Sequence, residues 1–292
     1  MFDFIGKRLW FFLISGVIIL AGIISLTTFG LKAGIEFNSG SVMTVGFEQK
    51  VDQGELKKEL ASLGYANVII QRVGEGGFLI RLPELSGKAK TELEVGLTAT
   101  LGNLEVREFD IVSPMVAAET TQNAAIAVAV ATIGILLYIA WAFRRMPHPF
   151  RYGTCTIIAL VHDTLVVLGV FSILGGTLGW EVDLKFVIGI LAVIGYSVNN
   201  TVVVFDRIRE NLTTDVKSDF EVVVNNSLVA TLSRSLNTSL TTLFMVLALL
   251  LLVGAAIQNF AVVLLIGIIA GTYSSLFIAP ALLVVWQRRR VG

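Results

Sequence analysis

Six apolar stretches, at about 9–30, 122–143, 153–175, 184–205, 236–254 and 258–286, leave this chain little choice of fold. Each has about the 20 residues a helix needs to cross a hydrocarbon core of about 30 Å. In that core no water meets the backbone N–H and C=O groups, so each run must be a helix that satisfies them internally. Composition points the same way. Hydrophobic residues make up 55% of the chain, charged ones 15%, and mean hydropathy is +0.80; an ordinary soluble domain carries about 25% charged residues. The expected fold is a polytopic α-helical membrane protein with six transmembrane helices. The first run follows a basic "KRLW", as a signal peptide would. It is too long for one and lacks a small-x-small site before "GLKAGIEF", so it reads as a retained anchor.

Orientation follows from Lys and Arg in the short flanks. Lys7 and Arg8 precede the first run, and Arg144, Arg145 and Arg151 join the second to the third. Arg207, Arg209, Lys217 and Arg234 lie between the fourth and fifth, and Arg288, Arg289 and Arg290 follow the sixth. With six crossings all four groups fall on one side, while "GGTLGWEVD" and "GAAIQN" opposite carry no basic residue. This predicts a multi-pass protein of the cell (inner, cytoplasmic) membrane with both termini cytoplasmic. The 22 basic and 22 acidic residues balance, which leaves no nucleic-acid footprint. A single cysteine, Cys155, excludes a disulfide framework, and with two separated histidines it excludes the usual zinc sets. No metal or cofactor is expected. The absence of a nucleophile–base pattern and of Walker or Rossmann loops argues against an enzyme.

Residues 31–118, between the first two runs, differ in character and lie on the outer side. They read as strand ("SGSVMTVGF"), helix ("DQGELKKELASLG"), strand ("ANVIIQRV"), strand ("GFLIRLP"), helix ("SGKAKTELEVGLTATLG") and strand ("NLEVREFDIV"). Leu56, Leu60 and Leu63 share a helical face. "GEGG" joins strand to strand, which makes it a hairpin turn and not a phosphate loop. The β-α-β-β-α-β order is that of a small α+β ferredoxin-like domain. Three regions result: 1–30 with the first span, 31–118 outside the membrane, and 119–292 as a five-helix bundle.

A charge in mid-membrane costs about 2.5–3.5 kcal/mol on insertion scales, so the polar residues within the runs carry the functional argument. His162 and Asp163 lie near the middle of the third run, and Asn199 and Asn200 in the fourth. Arg234 opens the fifth, ahead of Ser235, Thr238, Ser239 and Thr242 at helical spacing. These define a polar seam between the third, fourth and fifth spans, in which Asp163 is the residue without a structural excuse. The two asparagines would serve equally to join helices, and the Ser/Thr face to bond its own carbonyls. Gly267 and Gly271, four apart in the sixth run, suit close helix packing. Asp206, Arg207, Arg209 and Glu210 end the fourth helix, where an interfacial anchor is the simpler reading.

"GIEFNSGSVMTV", "ALVHD", "IGYSVNNTVVVFDRIRENL", "LSRSLNTSLTTLF" and "GIIAGTYSSLFIAPALL" resemble, in order and spacing, the signature segments of the SecF family. The resemblance covers essentially the whole chain. It implies a translocase subunit that works with a SecD-like subunit beside a SecYEG-type channel, related to the RND exporters. Such a subunit would use the proton gradient to help a translocating preprotein outward. It also implies a proton-coupling role for Arg234 together with an acid at position 200. Here that position is Asn200, which cannot titrate, so the proton falls to Asp163 or to a carboxylate of the SecD-like partner. Asn38-Ser39 replaces a more usual Thr/Gly-Gly. The competing readings are an RND-like half of a proton-coupled small-substrate transporter, and a scaffold of the channel that uses no protons. The single set of six spans argues against a free-standing transporter.

Overall fold

The computed structural model describes residues 2–66, 68–73, 76–146, 148–214, 218–252 and 257–288. The "GEGG" turn at Gly74 and Glu75, Lys217, the first half of the "GAAIQN" loop, Arg289 and Arg290 lie outside the described residues. Among those described, six helical segments are long and apolar enough to cross a membrane. They are α1 (Arg8–Thr28), α5 (Pro114–Ala142), α6 (Pro149–Leu178), α7 (Leu184–Thr214), α8 (Phe220–Leu252) and a composite sixth. The sixth consists of α9 (Gln258–Tyr273), a π-helical turn (Ser274–Ile278) and α10 (Ala279–Arg288).

Three helices outrun their apolar stretches. Helix α5 begins at Pro114, α7 runs on to Thr214, and α8 starts at Phe220. At 1.5 Å per residue these helices reach about 44–50 Å, well beyond the hydrocarbon thickness. Hydropathy finds where a helix must be apolar, whereas the backbone hydrogen bonds that extend it need no apolar side chain. Ser113 caps α5 by accepting from the Val116 N–H at 3.4 Å, with Pro114 in the first turn, where a missing N–H costs nothing.

Between α1 and α5 lies a four-stranded sheet of β1 (Gly40–Phe47), β2 (Ile69–Val73), β3 (Gly77–Leu82) and β4 (Leu104–Val112). Its order is β2-β3-β1-β4 with every neighbour antiparallel. Helix α3 (Gln53–Ser62) separates β1 from β2, and α4 (Gly87–Leu101) separates β3 from β4. Strand alternation sends Met43, Val45, Phe78 and Ile80 to one face, where Leu56, Leu60, Leu93 and Leu97 meet them in a closed core. Asp52 and Ser86 cap the two helices through the N–H groups of Gly54 and Ala89. A short helix, α2 (Ile35–Asn38), leads into β1 through Ser39 at φ 55, ψ 168. That backbone region belongs to glycine, and a residue with a Cβ is strained there by about 1–3 kcal/mol.

The sheet unit is tied to the bundle by side chains and backbone. Ala33 bridges Val182 in parallel fashion, with Gly34 N–H donating to Val182 C=O at 2.8 Å and Val182 N–H to Lys32 C=O at 2.7 Å. Arg81 on β3 forms an ion pair with the buried Glu181, and Gln71 on β2 donates to the Gly179 carbonyl. Burial pulls the Arg81 guanidinium below its ordinary value, against the opposing pull of Glu36 and Asp183. Asp183 in turn caps α7 through Phe186 N–H at 2.7 Å and accepts from Asn259 at the start of α9.

Candidate functional site

Helix α1 lies on α6 through a narrow seam of small and polar residues. Ser15, Gly22 and Ser25, its buried members, face His162, Gly169 and Ser172, each pair separated by the same 147 positions. A constant offset means that the two helices run parallel and in register. A Cβ on Gly169 would lie 2.6 Å from Gly22 Cα, so both glycines are needed for this approach. Ser25 donates to Ser172 at 2.9 Å, and Ser15 Oγ meets His162 Nε2 at 3.0 Å.

That approach delivers a hydroxyl to the buried His162–Asp163 pair. Asp163 is 1% exposed. Its Oδ1 lies 3.0 Å from His162 Nδ1, while its Oδ2 accepts from Ser197 Oγ at 2.6 Å and from Ser274 Oγ at 2.9 Å. Hydroxyls from α7 and the π-turn thus converge on one oxygen, and the imidazole, held by α1, takes the other. Gly271 makes room for this. A Cβ there would sit 2.9 Å from Ser197 Cβ and 3.4 Å from Asp163 Oδ2, and one on Gly267 would strike Val193 at 2.2 Å. Immediately beyond, the wide turn Ser274–Ile278 aims Ser274 inward. Single π turns of this kind recur at functional sites.

The donor pattern restricts where a proton can sit. An ionised Asp163 only accepts, so His162 Nδ1 carries the hydrogen and Nε2 accepts from Ser15. A protonated Asp163 carries its hydrogen on Oδ1, donates to Nδ1, and turns His162 to donate through Nε2 to Ser15. Two serine donors reserve Oδ2 as an acceptor in both states. On one side the pair is covered by aromatics: Tyr273 lies 6.1 Å from the His162 ring and donates to the Phe11 carbonyl at 2.8 Å, and Phe277 stacks on Phe11 at 4.5 Å.

The other residues singled out in the sequence fall elsewhere. Arg234 is exposed on α8 and lines a cavity of about 380 Å³ with Asp206, Arg207 and Glu210, remote from the hydrogen-bonding shell of Asp163. Asn199 is exposed on α7, while Asn200 is 3% exposed and its side-chain N–H₂ has no partner among the described residues. Asp206 pairs with Arg209 at 2.5 Å and Arg207 with Glu210 at 2.7 Å at the exposed end of α7; such surface pairs contribute roughly 0–1 kcal/mol each. Thr238, Thr241 and Thr242 of α8 bond their own helix carbonyls. Ser239 crosses, accepting from Tyr196 OH at 2.9 Å and meeting Thr272 at 2.7 Å. The seam at Asp163 therefore draws on α1, α6, α7 and the sixth segment, with α8 joined to it through a separate string. Ser15, Ser197 and Ser274 were not legible as site residues. A lone serine in an apolar helix has no signal of its own, and only the register of four helices brings these three together.

A six-helix bundle with a buried, hydroxyl-bound His–Asp pair, joined to a small antiparallel α/β unit, defines a polytopic membrane protein. The model of the protein export membrane protein SecD/SecF, C-terminal, matches residues 92–289. The chain is 44% identical to the protein translocase subunit SecF of Thermobaculum terrenum, over 99% of this chain and 95% of that one. It is 34% identical to the protein translocase subunit SecDF of Bacillus subtilis, covering 99% of this chain and 38% of that one. The crystal structure of SecDF, a translocon-associated membrane protein from Thermus thermophilus, superposes with a TM-score of 0.89 at 34% identity. A SecDF crystal structure in a super-membrane-facing form superposes at 0.69. In both structures the match takes in 99% of this chain and 39% of the longer one. The chain belongs to the SecD/SecF family of protein export membrane proteins.

Proposed function

We propose that this chain is the SecF-type half of a protein translocase and that it carries the coupling proton on the His162–Asp163 pair. The supporting observation is the Asp163 carboxylate, 1% exposed and held by Ser197, Ser274 and His162 from three different segments. A carboxylate so placed changes its hydrogen-bond pattern with its proton, and each pattern favours a different setting of Ser15 on α1 and of the helices around it. Proton binding from one side and release to the other would then be tied to relative motion of α1, α6, α7 and the sixth segment. The proton gradient is the only cofactor this reading requires.

The second half is a SecD-like subunit. Arg234 and Asn199 are exposed on α8 and α7, and a cation or amide on an exposed helix face of a membrane bundle favours a polar neighbour. A partner surface with acidic and amide groups would satisfy both. Residues 31–118 form the ferredoxin-like unit outside the membrane, between the first span at 1–30 and the five-helix bundle at 119–292, with both termini cytoplasmic. Its partners are a SecYEG-type channel and the emerging preprotein.

The test is preprotein export into inverted membrane vesicles with and without a proton gradient. Asp163→Asn should abolish the stimulation by the gradient while leaving the gradient-independent rate intact. Asn200→Asp, which restores an acid, should be tolerated. A full response to the gradient in Asp163→Asn would move the proton site onto the partner subunit and leave this chain as a scaffold.

A further inference from the structure

At the end of the bundle remote from the sheet, a cavity of about 310 Å³ opens between the α5–α6 connection, the end of α7, the start of α8 and the end of α10. Its walls are mostly apolar, Tyr152 and Leu212 among them, and two cations, Arg145 and Arg151, line it. Arg145 is exposed, whereas Arg151 is only 9% exposed. Among the described residues the Arg151 guanidinium bonds Gln287 Oε1 at 3.1 Å, and no carboxylate of theirs pairs with it. A buried cation that no described carboxylate neutralises is costly, and the bond to Gln287 uses one of the five N–H donors of the guanidinium.

We propose that this cavity binds the phosphodiester headgroup of an anionic phospholipid, with Arg151 holding the phosphate from within and Arg145 from the rim. The surroundings favour a lipid source. Trp141, Phe150 and Trp286 are exposed on the ends of α5, α6 and α10, the helices whose ends flank the cavity. Exposed aromatics interleaved with arginines mark the headgroup level of a bilayer, where basic pockets between helices take anionic lipids. The guanidinium fork matches two phosphate oxygens at once, and the apolar walls suit the glycerol and the first acyl carbons. A lipid seated there would join α6, α7, α8 and α10 at one end of the bundle. This inference does not depend on which residue carries the proton.

The test uses the full chain in detergent with Trp10→Phe and Trp180→Phe, so that Trp141 and Trp286 report on the cavity. Titration with brominated-chain phosphatidylglycerol should quench their fluorescence at about one-tenth the concentration needed for brominated-chain phosphatidylcholine. Arg151→Gln should remove that preference, Arg145→Gln should weaken it several-fold, and Arg144→Gln should leave it unchanged. If Arg151→Gln does not fold, Arg145→Gln against Arg144→Gln carries the test. Equal quenching by the two lipids would overturn the proposal, as would an equal loss from Arg144→Gln, which would mean diffuse surface charge. Displacement by inorganic phosphate as strong as that by unbrominated phosphatidylglycerol would also overturn it, since the ligand would then be a free anion.

Discussion

The two oxygens of Asp163 are treated differently, and most of the local structure serves that difference. Oδ2 takes hydroxyls from Ser197 and Ser274, and Oδ1 faces His162 alone. The arrangement tolerates no added atom at Gly271, whose missing Cβ lets the sixth segment come against Ser197. Gly271→Ala should cost about 1–3 kcal/mol of stability through overpacking and should also impair gradient-stimulated export, because it pushes Ser197 away from the carboxylate. Gly134→Ala, on α5 with nothing within 4 Å of the added methyl, is the control and should be neutral in both. Thermal unfolding of the two variants in detergent, beside the vesicle assay, checks this. Normal export by Gly271→Ala would show that the serine–carboxylate contact is not needed for coupling. Asn200 is the opposite case, a buried amide whose N–H₂ lacks a partner among the described residues, at a cost of about 1–3 kcal/mol.

Among the elements, the sheet unit and the bundle follow different rules of legibility. The leucine face of α3 points to a core of the sheet unit's own, and the structure has Leu56 and Leu60 in one. Because that core draws on no bundle residue, residues 36–112 expressed alone should give a mixed helix–strand circular dichroism spectrum and a cooperative thermal transition. A disordered spectrum would mean that the ties at Arg81, Gln71 and Ala33 hold the unit together. The edge strand β2 is less open than an unpaired edge implies, since Gln53 Nε2 donates to the Ile70 carbonyl at 2.9 Å. In the bundle the spans were legible from hydropathy, but the lengths of α5, α7 and α8 were not. The pairing of α1 with α6 was not legible either: Ser15, Gly22 and Ser25 look like ordinary small residues until His162, Gly169 and Ser172 are set opposite them.

For the whole molecule, the orientation proposed from the one-sided basic clusters, with the sheet unit outside and the α5–α6 connection inside, is open to direct test. A Lys88→Cys variant should react with a membrane-impermeant thiol reagent added to intact cells, whereas Arg144→Cys should react only after the membrane is opened. The native Cys155 is fully buried and gives no background. Labelling of Arg144→Cys from outside would reverse the orientation. What the amino-acid order determined by itself is what depends on solvent: which segments are long and apolar enough to cross a membrane, and which stretch between them is not. Hydropathy is a local quantity, and a local quantity sufficed for this. The tertiary structure alone decided which polar groups meet. Arg234, expected in the seam with Asp163, lies exposed on α8, while three unremarked serines surround the carboxylate. Helix rotation and register in a membrane are set by glycine contacts of a few tenths of an ångström and by single hydroxyl bonds, and neither leaves a periodic trace in the sequence.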